Sequence, residues 1–187
     1  MSNFFIGLPF LFLISILFAS VTYWLINFRP DADAFFIHVM WLFLDLVAAE
    51  SLVVLVSSLF PNFIIALALV AFANGLWMSV GGFLVPTGSL NVFWRYVFHY
   101  IDYQAYVFRG MMVNEFDGRT YSCAGNVMTG CSCAYESELS GQCKIDGKAV
   151  LHYYDYPTGQ LGKTVGIMIG IIAVYRVLGY LALRFRK

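Results

Sequence analysis

Four long apolar runs, separated by short polar punctuation, dominate the chain. Phe4–Phe28, Phe35–Phe60, Phe63–Val85 and Val165–Leu183 each approach or exceed the roughly 20 mostly apolar residues that a helix needs to cross a bilayer. The first run closes at Arg29-Pro30-Asp31-Ala32-Asp33, the second at Phe60-Pro61-Asn62 and the third at Pro86-Thr87-Gly88. Proline cannot continue a helix, and the charged residues mark a water boundary. Connections this short make the first three helices antiparallel neighbours.

The stretch from Pro86 to Lys163 breaks the pattern and carries most of the charge. Its first part, residues 90–113, interleaves Phe93, Trp94, Tyr96, Phe98, Tyr103 and Tyr106 with Arg95, His99, Asp102 and Arg109. Aromatic bodies with polar tips suit the headgroup zone. The pattern predicts short helices that lie in or re-enter one leaflet; a surface amphipathic helix serving only as an anchor fits equally. Residues 114–163 then read as a turn-rich loop with little helix and no N-x-[ST] sequon.

Composition agrees. Of 187 residues, 60% are hydrophobic and only 12% charged, against about 25% charged in soluble domains. The fold class expected is an all-α membrane protein. A net charge of zero leaves no basic patch for nucleic acid. Arg184, Arg186 and Lys187 directly follow the last run and place the C-terminus in the cytosol. Cys123, Cys131, Cys133 and Cys143 all fall in the long loop, which suits an oxidising compartment and a disulfide-stapled, extracellular loop. Their pairing stays open among three connectivities. The first run is read as a span rather than a signal peptide, because no basic residue precedes it and it is too long.

Some residues stand out for chemistry. Glu50 lies mid-span, Asp45 precedes it by about one and a half turns, and an intramembrane acid is costly enough to suggest a role. Glu50 reads as part of a polar relay or translocation path, or as one end of an interhelical hydrogen bond. In the third run Ala68, Ala71, Gly75, Ser79 and Gly82 make a small-residue stripe, with Asn74, Met78 and Gly81 beside it. That arrangement fits a cavity lining or ordinary helix packing. Gly162, Gly166 and Gly170 form a doubled GxxxG, a weak dimerisation signal, and Arg176 is expected to snorkel to the cytosolic headgroups. Phosphate-loop, HExxH and GxSxG motifs are absent, and His38, His99 and His152 do not match the cysteines at metal-ligand spacing. No catalytic or metal-binding residue is expected.

The order of motifs resembles the G subfamily of ABC transporters over essentially the whole chain. LPFLFLISILFASVTYWLINFRPDADAFF is similar to that subfamily's third span, outer turn and fourth-span start; AESLVVLVSSLFPN is similar to the end of the fourth, and GGFLVP to the end of the fifth. WRYVFHYIDYQAYVFRGMMVNEF resembles the re-entrant segment that closes on NEF, here Asn114-Glu115-Phe116. CSCAYESELSGQC and VLHYYDYPTGQLGK look most like fungal half-size members. The resemblance implies spans three to six of an ABC-2 type membrane domain in the plasma membrane. It implies ATP-driven export of lipids, sterols or amphipathic xenobiotics through a cavity between two membrane domains, as a homo- or heterodimer in contact with membrane lipid. Asn74, Gly75 and Met78 would face that cavity, and Phe83-Leu84 would form the plug above it, with Phe83 departing from the usual leucine. The four cysteines would staple the external lid. ATP and Mg would belong to a nucleotide-binding domain that precedes these residues in the family, so this sequence is expected to be a fragment, a truncated gene or one part of a split transporter.

Two other readings compete. A tetraspanin-like scaffold also has a cysteine loop before its last span, but its CCG signature is missing here. A membrane-embedded enzyme using Glu50, Asp45 and His38 would need Glu50 on the face shared by the other two, and the helical repeat turns it away by more than about 100°.

Overall fold

A computed structural model describes residues 2–82, 91–94, 101–126 and 130–185. Helix α1 runs over Ser2–Leu25, α2 over Ala32–Leu59 and α3 over Phe63–Val80. The shorter α4 occupies Tyr103–Phe116, and a cysteine-bearing loop follows. In that loop β1 (Thr120–Ser122) pairs antiparallel with β4 (Lys144–Asp146), and β2 (Ala124–Asn126) with β3 (Gly130–Ser132). The short helix α5 (Gly147–Tyr153) leads to α6 (Leu161–Phe185). Four of these helices, α1, α2, α3 and α6, are long and apolar enough to cross a membrane. The chain is an integral membrane protein built on helices.

The expected spans recur with shifted ends. α1 stops at Leu25 rather than Phe28, because Asn27 takes the left-handed conformation (φ 58°), which asparagine tolerates better than most residues. The Phe28 amide then bonds back to the Tyr23 carbonyl (3.2 Å). α3 ends at Val80 rather than Val85. α6 begins at Leu161, four residues before the expected Val165. Asn62 caps α3, its side chain accepting from the Ile64 amide (3.1 Å) and so satisfying one of the helix's unpaired first-turn donors.

α2 is the central post, packing on α6, α1, α4 and α3, most extensively on α6. With 28 residues against 18 in α3, it is longer by about 15 Å. α3 therefore ends below the rim at which α2 begins, and α4 climbs the difference. Its first residue, Tyr103, stacks edge-on to Trp77 (ring centroids 5.2 Å apart). Near its other end, Asn114 donates to the Ala34 carbonyl in the first turn of α2 (2.8 Å). The anchor-only reading of this segment is corrected: α4 buries Tyr103, Ala105, Tyr106, Val107 and Gly110, which a surface helix would not do. Gly110 is required by close approach, since an added Cβ would lie 2.1 Å from Cε2 of Trp41. Residues 95–100, the earlier part of the expected re-entrant segment, lie outside the described residues.

The cysteine loop is tied to the helices through the NEF sequence. Oε2 of Glu115 accepts from the Arg29 amide (3.0 Å), and Oε1 accepts from the Tyr121 hydroxyl (3.0 Å) and pairs with the Arg119 guanidinium. Burial, and then the Glu115 carboxylate, push the Tyr121 phenol up to about 12. The Arg29 guanidinium also donates to the Asp117 carbonyl (3.0 Å). One carboxylate thus holds the α1–α2 turn, the end of α4 and β1 together.

Of the three possible connectivities, the disulfides are Cys123–Cys133 and Cys131–Cys143. The loop's sheets are pairs of three-residue strands, too short to be stable alone, so the bridges supply much of its order. Serine at both Cys131 and Cys143 is expected to cost about 2–3 kcal/mol of local stability. Hydrogen exchange would show it as faster amide exchange over residues 120–146, with α2 and α6 unchanged.

Candidate functional site

The residues expected to face a cavity lie on the last two turns of α3, and their surroundings differ. Gly75 is exposed, with nothing within 4 Å of an added Cβ. Met78 is 53% exposed. Ala68, Ala71 and Ser79 continue the same open stripe, while Gly82 is buried. Ser79 turns its hydroxyl back onto the Gly75 carbonyl (3.0 Å), so the face presents little polarity. The stripe has no covering helix among the described residues. Phe83 and Leu84, the expected plug, lie outside the described residues.

Asn74 sits at the edge of this face and is held from α4. Its Oδ1 accepts from the Tyr103 hydroxyl (3.0 Å) and from Nε2 of Gln104 (3.2 Å). That fixes the amide so that its nitrogen remains the free donor, with no acceptor among the described residues. Below it Asp102 caps α4, accepting from the Gln104 amide (2.8 Å), and lies against Gly81, where a Cβ would come within 2.9 Å of its Oδ2. Only glycine allows that approach. Phenylalanine at Tyr103 is expected to cost about 1 kcal/mol, read as a lower thermal midpoint, since Asn74 loses one of its two donors.

Glu50 is an ion-pair partner. Oε2 accepts from Nη2 of Arg176 (2.7 Å), whose Nε donates to the Ser51 hydroxyl (2.9 Å) and whose guanidinium lies over the Phe4 ring at 4.1 Å. The expectation that Arg176 snorkels to the headgroups is corrected: a carboxylate, a hydroxyl and a ring face hold its guanidinium between α1, α2 and α6. Of the two roles considered for Glu50, the interhelical bond is the one seen, and it joins α2, α6 and α1. Asp45 instead comes within electrostatic reach of Asp102 and Tyr103. His38 packs on the rings of Tyr23 (5.3 Å) and Phe28 (5.6 Å). The three residues of the enzyme reading thus face three different helices or turns, and no shared site forms. Gly162, Gly166 and Gly170 have open space beside each.

Residues 1–116 match the family described as ABC-2 type transporter. The chain belongs to the ABC-2 type transporter family. The match ends on Phe116, the last residue of α4, so it covers the first three spans and the climbing helix. ABC transporter G family member 8 of Arabidopsis thaliana is 30% identical over 98% of this chain and 30% of its own length. Member 5 of the same plant is 28% identical over 99% of this chain and 26% of its own length. A fungal relative, ZEB2-regulated ABC transporter 1 of Gibberella zeae, is 28% identical over 96% of this chain and 13% of its own length. The chain therefore spans less than a third of the relatives it matches. As a member of the ABC-2 type transporter family it is a membrane component of a transporter. Membership sets aside the scaffold reading, and it places Asn74, Gly75 and Met78 on the third span of the matched region. Sequence reasoning missed the Glu115 hub, Tyr103 as the anchor of Asn74, and Arg176 as the partner of Glu50. Only the NEF resemblance pointed near any of these.

Proposed function

We propose that this chain forms part of the membrane path of an ATP-driven exporter of lipids, sterols or amphipathic xenobiotics. The observation that carries the reading is the open face of α3. Gly75, Met78 and Ser79 leave a smooth, weakly polar surface uncovered, as the wall of a cavity shared between two membrane domains requires. Asn74 contributes one oriented donor at its margin. Such a site favours an apolar body that carries a hydroxyl or carbonyl oxygen. A second copy of this membrane domain, or a related one, would supply the opposite wall. Phe83 and Leu84 would close the path above it. ATP and Mg would be held by a nucleotide-binding domain, since this sequence carries no phosphate loop. Arg184 in the last turn of α6 supports a cytosolic end there. The cysteine loop would then stand outside the plasma membrane as a stapled lid.

The test grafts this chain in place of the matching segment of a plant relative and follows uptake of an amphipathic dye into inside-out vesicles. ATP-dependent uptake is expected, and tryptophan at Gly75 is expected to reduce it about tenfold, an effect worth about 1.4 kcal/mol. Alanine at the exposed Phe36 should leave it unchanged. Uptake without ATP, or full uptake with Gly75→Trp, would contradict the proposal.

A further inference from the structure

A cavity of about 250 Å³ opens beside the α1–α2 turn, between α2, α4 and the start of α6, on the cysteine-loop side. Arg109 and Trp41 line it, with Arg29 and Asp117 also in its wall. The chemistry of this wall is one-sided. Arg109 has a buried Nε without an acceptor, and no carboxylate pairs with it among the described residues. Its guanidinium rests instead over the Tyr156 ring, 5.3 Å from the centroid. Trp41 is fully buried, yet its indole N–H has no acceptor among the described residues. The hydroxyl of Tyr156, the ring under Arg109, is likewise buried without a partner among the described residues. Two residues with unsatisfied buried donors, Arg109 and Trp41, therefore line one cavity. A buried donor left unpaired costs about 1–3 kcal/mol, and an unpaired cation costs more.

Depth sharpens the point. Gly110 presses on Trp41, so Arg109 is level with a residue nine positions into α2, about 13 Å from the start of that helix. A guanidinium with no protein anion beside it is matched by an anionic ligand, and phospholipid phosphates are the anions that a bilayer brings to the end of the helix bundle where the cavity opens. A phosphate offers acceptor oxygens only, in the geometry a guanidinium binds best. Arg29 is already committed to Asp31 and to the Asp117 carbonyl. The Asp117 carboxylate has no ion-pair partner among the described residues. It would repel a second negative charge on the ligand and attract an ammonium.

We infer that this cavity holds the headgroup of a zwitterionic phospholipid of the phosphatidylethanolamine type, with Arg109 on its phosphate and Asp117 toward its ammonium. The lipid comes from the leaflet on the cysteine-loop side. The site is separate from the α3 face, so it stands whether or not that face carries a substrate.

Native mass spectrometry of the full chain in detergent, titrated with defined lipids, tests this. One dioleoyl phosphatidylethanolamine should bind about tenfold more tightly than dioleoylglycerol, which has the same tails and no phosphate. Dioleoyl phosphatidylglycerol should bind more weakly than the ethanolamine lipid, and Asp117→Asn should narrow that gap. Arg109→Gln should weaken ethanolamine-lipid binding about tenfold. If that variant does not fold, Arg109→Lys, which keeps charge but loses the planar fork, should weaken it several-fold. Equal binding of dioleoylglycerol, unchanged affinity in the folded arginine variants, or equal retention of both phospholipids would overturn the inference. Displacement of the lipid by millimolar inorganic phosphate would assign the pocket to a soluble anion and overturn the lipid source.

Discussion

Leucine at Glu50 is expected to cost about 3–5 kcal/mol, the largest loss from any single change considered. Arg176 cannot shed its charge, so removal of its carboxylate leaves a half-buried cation with only Ser51 and the Phe4 ring beside it among the described residues. Adding Arg176→Met to Glu50→Leu should restore most of the loss, because an apolar pair of similar volume can replace a half-buried ion pair between two helices at little or no cost. The measurement is thermal unfolding of the full chain in detergent, followed by tryptophan fluorescence for the wild type, both single variants and the double. The expected signature is a double variant more stable than Glu50→Leu alone. Simple additivity would mean that the two residues act independently, contrary to the 2.7 Å contact.

Alanine at Glu115 should come next, at about 3 kcal/mol. The Arg29 amide, the Tyr121 hydroxyl and the Arg119 guanidinium all lose their acceptor at once. The damage has a location. Hydrogen exchange should accelerate in the α1–α2 turn and in β1 together, while the far ends of α2 and α6 keep their protection. Glutamine should recover part of the loss, since its carbonyl oxygen can still accept one of the three bonds but carries no charge for Arg119. Exchange that changes in β1 alone would show that the turn does not depend on Glu115.

Much of this architecture was legible because a bilayer makes few demands and makes them strictly. Apolar runs of sufficient length had to be helices, and Pro61 marked the boundary between α2 and α3. Helix ends were less legible: α1 ends early because of the conformation of Asn27, and α6 starts early with no sequence signal strong enough to mark it. Partners were hardest. Glu50 announced itself as an intramembrane acid, but Arg176 lies 126 residues away along the chain, and no spacing rule links two helices that distant. The disulfide pairing was hidden for the same reason, since Cys131 and Cys133 are interchangeable until the strands set their register. The proposal that Asn74, Gly75 and Met78 face a cavity came from resemblance. Their surroundings turned out uneven: Gly75 and Met78 open outward, while Asn74 is tied back to Tyr103 and Gln104.

That open α3 face is the centre of the account, and the chain offers a clean handle on it. Among the described residues no cysteine is free, and all four cysteines of the sequence are in disulfides. Gly75→Cys therefore introduces a single reactive thiol. In a grafted transporter whose cysteines outside this segment are replaced by serine, this thiol should react with a maleimide, be shielded by a transported amphipath, and cross-link to its counterpart on the facing membrane domain through a short bis-maleimide. A thiol that labels equally with and without the amphipath and never cross-links would place this face against lipid and contradict the account.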